Sequence, residues 1–544
     1  MLESVDRGES GAAARERSAS AWLVLFVFSA AMLAIIACYG FYDLFSTFAQ
    51  YDDEGFWLIS TKLFLEGHAL YDQIFIPYGP VSIAVKEALH DGLSIPLTNS
   101  AVRFVTLTYW LLLSVICSLT VCRITHSAWW ALVAYGVVFA AMRTFANEPG
   151  HPQELIACLA ALIPLLNWNK HRPNSLRVWF YAGALVAVIL ATKINIGAYC
   201  LAAVLVVMAS ELRHASWRNA VQFAAVIASA VFPFLLMLPH MDKDNCLSYA
   251  VVCAAALSAA ATALFSPRVA GVLLLRMCIA FIAGMMTAIS LTLVFMWANG
   301  STVTALIESV LYFAKGLQHA YFFRLYSAIQ IVFALAAPIF AAFLVWIPGG
   351  PVRQYGIVGG KTLFIGLTVF ALTTNDQANA HFMLGWAGPW CWLCAVQYGH
   401  GQVSIARKML ALLAAWHLLL AYPIAGSQLY FGTFLVLVSA VVCLSDITNW
   451  LVSNTPRYNA QRRQLLSTVP AALVAGLVLV FLTGKTLSFK QEYAALEPLN
   501  IHGTQRLRLE PERVKFYQYV VGEMRKADVG FTSSGFNSLY FWSD

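Results

Sequence analysis

Uncharged, apolar runs long enough to cross a bilayer recur along this chain from Trp22 to Thr483. About 20 such residues span a hydrocarbon core as a helix. The runs are continuous rather than alternating, which argues against a β-barrel. Hydropathy places fifteen spans, near 21–45, 101–122, 128–146, 152–168, 178–192, 195–210, 219–239, 246–265, 269–298, 326–348, 357–374, 382–399, 408–425, 432–449 and 465–484. As one helix, 178–210 would measure about 50 Å against a core of about 30 Å. Its only polar interruption, TKINIG (192–197), is therefore the expected break. Other divisions of 178–210 and 246–298 lower the count, so the expected fold is an all-α polytopic membrane protein of about 13–15 transmembrane helices.

Charge gives a topology. With the N-terminus inside, the inside loops RITHS, NKHRPNSLR, ELRHASWR, SPR, PVRQ, ARK and Arg457–Arg463 all carry Lys or Arg. The short outside loops ANEPGHPQE, TTNDQANAH and YPIAGSQLY carry none, as the positive-inside bias predicts. The expected domains are a disordered cytoplasmic N-terminus (1–20), a transmembrane domain (21–484) and an extracytoplasmic C-terminal segment (485–544). Two long outside loops, 46–100 and 299–325, contain apolar residues at helical spacing and are expected to lie as interfacial helices. In the C-terminal segment EPERVKFYQYVVGEMRKAD predicts a helix and VGFTSS a strand, a small α/β element.

Composition excludes other classes. The chain is 60% hydrophobic and 11% charged, with a mean hydropathy of +0.70, whereas soluble domains carry about 25% charged residues. The net charge of +7 is dispersed over short loops and does not point to nucleic acid. The eleven cysteines fall almost entirely in apolar runs and are expected to pack as small hydrophobes. That includes Cys391 and Cys394 of CWLC, despite their CxxC spacing.

Acidic residues number only 27 in 544, yet Asp52, Asp53 and Glu54 stand side by side between Tyr51 and Phe56-Trp57. Solvated loop carboxylates are common. Three together at a membrane end repel, however, and raise at least one pKa, which suits a general base or a cation site. Lys193 sits in the expected break, where an ionisable group marks function unless it snorkels to the surface. Glu148, His151 and Glu154 bracket the second outside loop and could hold a cation or an acceptor with Asp52; ordinary loop polarity explains them equally well. Lys86, Lys315, His319 and Arg324 are candidates for a phosphate, or snorkel. Arg276, deep in an apolar run, calls for a partner, and His381 and Gln428 are lesser candidates at helix starts. Asn299-Gly300-Ser301 fits a glycosylation acceptor pattern but hugs a membrane end.

Three stretches stand in order along the chain: DEGFWLISTKLFLEGHALYDQIFIPYGPVSIAVKEAL (53–89), HPQELIACLAALIPLL (151–166) and GALVAVILATKINIGAYCLAAVLVV (183–207). Together they resemble the GT-C glycosyltransferases, such as protein O-mannosyltransferases and lipid A aminoarabinose transferases. The resemblance covers about the first 210 residues. It implies a hexosyl- or pentosyltransferase acting at the outer membrane face, with Asp53 as catalytic base. Substrate-binding roles then fall to Asp52, Glu54, Lys86, Glu148, His151, Glu154, Lys193, His319 and Arg324. It further implies a polyprenyl-phosphate-linked sugar donor and transfer with inversion; the acceptor, a glycan, lipid or protein, and the use of a divalent metal cation stay open at this point. Ile76-Pro77-Tyr78 replaces the mannosyltransferase His-Pro-Pro turn, so the acceptor does not follow from the resemblance. A bacterial inner membrane is the expected location, because the chain shows no retrieval signal and no convincing sequon. A lipid-linked-sugar flippase or a polytopic transporter remains the alternative; transporters tend to show repeated halves, and none is evident here. A ligase or polymerase of lipid-linked glycans would share the donor but not the placement of the Asp53-Glu54 pair.

Overall fold

A computed structural model describes residues 6–49, 52–166, 176–211, 215–264, 274–312, 325–374, 380–398, 403–423, 428–454, 460–527 and 535–543. Helix α1 runs from Asp6 to Ser46 and so takes in most of the stretch expected to be disordered. The physical reason is GAAARERSA (11–19), where the strong helix formers Ala, Arg and Glu dominate and lead straight into the first apolar run. The first long loop holds α2 (Asp53–Leu65) and α3 (Val81–Glu87). Then come α4 (Asn99–Thr125), α5 (Ala128–Met142) and α6 (Pro152–Leu165). The long stretch after them divides into α7 (Leu176–Leu190) and α8 (Ile194–Ser210), with the break at 191–193.

The next helices are α9 (Ala215–Met237), α10 (Asp244–Ala263), α11 (Leu274–Ala298) and the short α12 (Val303–Ile307). They lead into α13 (Ala328–Trp346), α14 (Pro351–Thr373), α15 (Ile405–His417), α16 (Phe434–Ser453) and α17 (Ala460–Ala495). Two strands, Glu497–Pro498 and Arg508–Leu509, pair antiparallel, and α18 (Pro511–Met524) and α19 (Asn537–Ser543) complete the described chain. The strand expected at 529–534 lies outside the described residues.

Among the described residues nine helices are long and apolar enough to cross a membrane, and α5 to α8 are shorter apolar helices. The chain is an all-α, multi-pass membrane protein. Two of the expected spans are irregular. Residues 383–395 form a π-turn and a 3-10 helix, because Gly385, Gly388 and Pro389 weaken an α-helix there. The span expected at 408–425 is α15 followed by a 3-10 turn at Leu418–Ala421.

The main core lies between α4, α5, α6, α8, α10, α15 and α16. Around it α1, α9, α11 and α17 leave large apolar side chains exposed, such as Phe26, Leu235, Leu291 and Val480, as a hydrocarbon solvent permits. Arg276 is exposed in the first turn of α11, so the deep-membrane partner expected for it is not required. Cys391 and Cys394 are buried free thiols.

Helix α1 packs on both α4 and α17, so the end of α1, the start of α4 and the end of α17 share one end of the bundle. Two small cores cover that end. One gathers Trp57, Phe64, Leu70, Ile76 and Ile83 of the first loop with Met296 of α11. The other joins Phe48 to the C-terminal segment through Leu499, Leu507, Tyr517, Leu539 and Trp542.

Candidate functional site

The three consecutive acids at the start of α2 are separated by helix geometry. Asp52 is the N-cap, and its Oδ1 accepts from the Gly55 N–H at 2.7 Å. Its Oδ2 accepts from the Ser538 N–H at 2.5 Å. Glu54 turns into the bundle, where Arg103 of α4 grips it with two parallel bonds, Nε to Oε1 at 2.9 Å and Nη2 to Oε2 at 2.6 Å. Arg103 also donates to the carbonyls of Leu44 and Thr47, which fixes the end of α1. Both side chains are almost fully buried, so Glu54 is placed as a structural anchor. Asp53 occupies the first helical position, half-buried. Burial pushes its carboxyl up to about 7, the Glu148 and Asp52 charges push the same way, and Lys193 opposes them. Asp52 is raised to about 6 by burial, against the two N–H bonds that favour its ionised form.

Two distant motifs meet beside Asp53. The turn Pro77-Tyr78-Gly79-Pro80 docks on the break between α7 and α8. Gly79 N–H donates to the Thr192 carbonyl at 2.9 Å and Val81 N–H to the Ala191 carbonyl at 3.2 Å. Only glycine fits at 79, since a Cβ there would come 2.1 Å from the Ala191 carbonyl oxygen. This docking puts the Lys193 ammonium 5.2 Å from the Tyr78 ring centroid, a cation–π contact. Lys193 also donates to Gln428 Oε1 at 3.2 Å.

His151 closes the site from the N-cap of α6. Its Nδ1 accepts from the Gln153 N–H at 3.2 Å, which leaves Nε2 to carry the proton and donate to the Tyr78 hydroxyl at 2.8 Å. Burial, with Lys193 and Lys86 nearby, holds the imidazole neutral, well below its usual pKa. Trp57 sits beneath, edge-on to His151 at 6.0 Å between ring centroids and 5.3 Å from Tyr78. Lys86 lies over the Trp57 ring at 5.1 Å and donates to the Gly150 carbonyl at 2.8 Å. Glu154 is buried and accepts from Thr106 at 3.2 Å. It lines, with Lys86, His90, Tyr109 and His151, a cleft of about 30 Å³.

Of the residues singled out in the sequence, the structure brings together Asp53, Glu148, His151 and Lys193. Lys86 and Glu154 stand immediately behind His151. Asp52 and Glu54 are turned to α19 and to Arg103. Lys315, His319 and Arg324 lie outside the described residues. His381 is near the Tyr326 hydroxyl at 3.5 Å. Tyr78 and Gln428 gain roles through contacts across the fold; a tyrosine in a rigid Pro-flanked turn was the one available sequence signal for the first.

Ligand atoms of Asp53, Glu148 and His151 lie within 4.8 Å of one another, close enough to share one metal ion. Two carboxylates and an imidazole suit a divalent cation of the oxygen- and nitrogen-binding kind. His151 would have to surrender its Nε2 proton and its bond to Tyr78, so the carboxylates are the readier donors. Comparison with models of known families, with curated proteins and with solved structures finds no match for this chain.

Proposed function

We propose that this protein is a membrane glycosyltransferase of the GT-C kind. It moves a hexosyl or pentosyl group from a polyprenyl-phosphate donor to a glycan, lipid or protein acceptor at the outer face of the membrane. The observation that carries this reading is the convergence of the three stretches on which the resemblance rests. Asp53 and Tyr78 come from the first, His151 from the second and Lys193 from the third, and they form one half-buried site.

The chemistry fits these groups. An acceptor hydroxyl gives its proton to the Asp53 carboxylate as its oxygen bonds to the anomeric carbon. The bond from that carbon to the phosphate oxygen breaks, and polyprenyl phosphate leaves with the electron pair. Attack opposite the leaving group inverts the anomeric centre. A base with a pKa near 7 is matched to neutral pH, and Asp53 is held at about that value. The Lys193 ammonium, oriented by Gln428 and the Tyr78 ring, meets the charge that develops on the phosphate.

A flippase would use the same cations without breaking a bond. Proteoliposomes carrying a labelled polyprenyl-phosphate sugar, supplied with a membrane extract as acceptor source, separate the two. Release of free polyprenyl phosphate with label on a new product supports transfer. Label that crosses the bilayer still attached to its lipid contradicts the enzyme reading.

A further inference from the structure

We propose that Asp52 is a positioning residue, whose carboxylate ties the first turn of α2 to the first turn of α19 and so lets the C-terminal segment set the direction of Asp53. The proposal rests on the reading of Asp53 as general base. Three bonds from the C-terminal segment converge on Asp52. Ser538 N–H donates to its Oδ2 at 2.5 Å, the Asp52 N–H donates to the Gly535 carbonyl at 3.1 Å, and Asn537 Nδ2 reaches the Asp52 carbonyl at 3.4 Å. A fourth, from Gly55 N–H to Oδ1, starts α2 itself. The residue immediately before Asp53 is thus fixed at its amide, its carbonyl and both carboxylate oxygens.

The backbones of α2 and α19 touch at this point, because a Cβ on Gly55 would come 2.1 Å from the Ser538 nitrogen. The segment that holds Asp52 is anchored to the bundle by contacts of its own. Trp542 Nε1 donates to Asn99 Oδ1 at 2.8 Å, Ser100 N–H to the Gly503 carbonyl at 2.9 Å, and Arg513 to the Phe48 carbonyl at 3.0 Å. An N-cap alone needs one acceptor, and Asn or Ser serves as well as Asp. Serving two N–H groups with two oxygens needs an ionised carboxylate, which has acceptors only.

That difference makes the test. Asp52→Asn keeps an acceptor for Gly55 but turns an amide NH₂ toward the Ser538 N–H. Ser538→Pro removes that N–H from the other side and puts a ring carbon on a nitrogen that now lies 2.5 Å from the Asp52 carboxylate, so it breaks the same tie. In the labelled-donor assay each variant is expected to lower kcat about tenfold, with KM for the donor little changed, as a misdirected base would. The double variant is expected to be no slower than the slower single, because both break the same contact between Asp52 and Ser538. Additive losses, or a single variant with wild-type kcat, overturn the proposal. Hydrogen exchange at Gly55 and Phe56 gives a readout free of catalysis, expected to speed up about tenfold in Ser538→Pro. Unchanged exchange overturns the tie whether or not the wild type transfers sugar. Faster exchange in a protein whose wild type transfers none keeps the tie and removes the catalytic reading of Asp53.

Discussion

Burial and the neighbouring Glu148 and Asp52 carboxylates push the Asp53 carboxyl up to about 7, while the Lys193 ammonium pulls it down. A base must be ionised to act, so the protonated form that prevails below that value is inactive. The transfer rate is therefore expected to rise about tenfold per pH unit at acid pH and to level off above about 7. Glu148→Gln removes a charge that favours the protonated form, so it shifts the midpoint of the pH–rate profile to lower pH. Glu54 behaves differently. Its partner Arg103 is buried with it, and Glu54→Gln leaves an uncompensated guanidinium, expected to cost about 3–5 kcal/mol of stability. Thermal unfolding in detergent checks this, with Asp53→Asn expected to melt close to wild type. The cluster itself was legible in the sequence because acids are scarce in this chain. Its division of labour was not, since nothing in DDEGFW reveals that Arg103 and Ser538 will stand opposite two of the three.

Lys193 marks what was legible at the level of elements. One lysine in an apolar stretch too long for a single helix predicts a break, and α7 and α8 part at that place. The docking of the Tyr78 turn on the break had no sequence signal beyond a glycine between prolines. Gly79→Ala is expected to force the turn away from Ala191 and so uncouple Tyr78 from Lys193. Donor affinity, measured by equilibrium binding of the labelled lipid, should then fall by about tenfold or more, the scale of a lost charge-assisted contact. Unchanged affinity would mean that the turn does not organise the phosphate side. The helical N-terminus was missed for a converse reason: polar composition suggested disorder, whereas Ala, Arg and Glu carry high helix propensity whatever their polarity.

The bundle as a whole is locked at the end opposite the site. Helix α8 starts beside Lys193 and ends at the buried pair Glu211–Lys408, with 2.5 Å between charged atoms. Nearby, Asp446 of α16 accepts from Lys361 of α14 at 2.5 Å and from Arg407 of α15 at 2.7 Å, so one carboxylate joins three helices. Asp446→Asn leaves two buried cations short of their counter-charge and is expected to cost about 3–5 kcal/mol, read as a lower melting temperature. Positive charge on these segments was enough to orient the helices in the sequence, but not to show that the charges pair inside the protein. The role of Asp53 as base belongs to the other end, where segments distant in the chain surround it. Its most direct test is label transfer from a polyprenyl-phosphate sugar by wild type and by Asp53→Asn at equal donor occupancy. A loss of about 10²- to 10⁴-fold in kcat with donor binding retained is the predicted result; transfer by Asp53→Asn at the wild-type rate would contradict it.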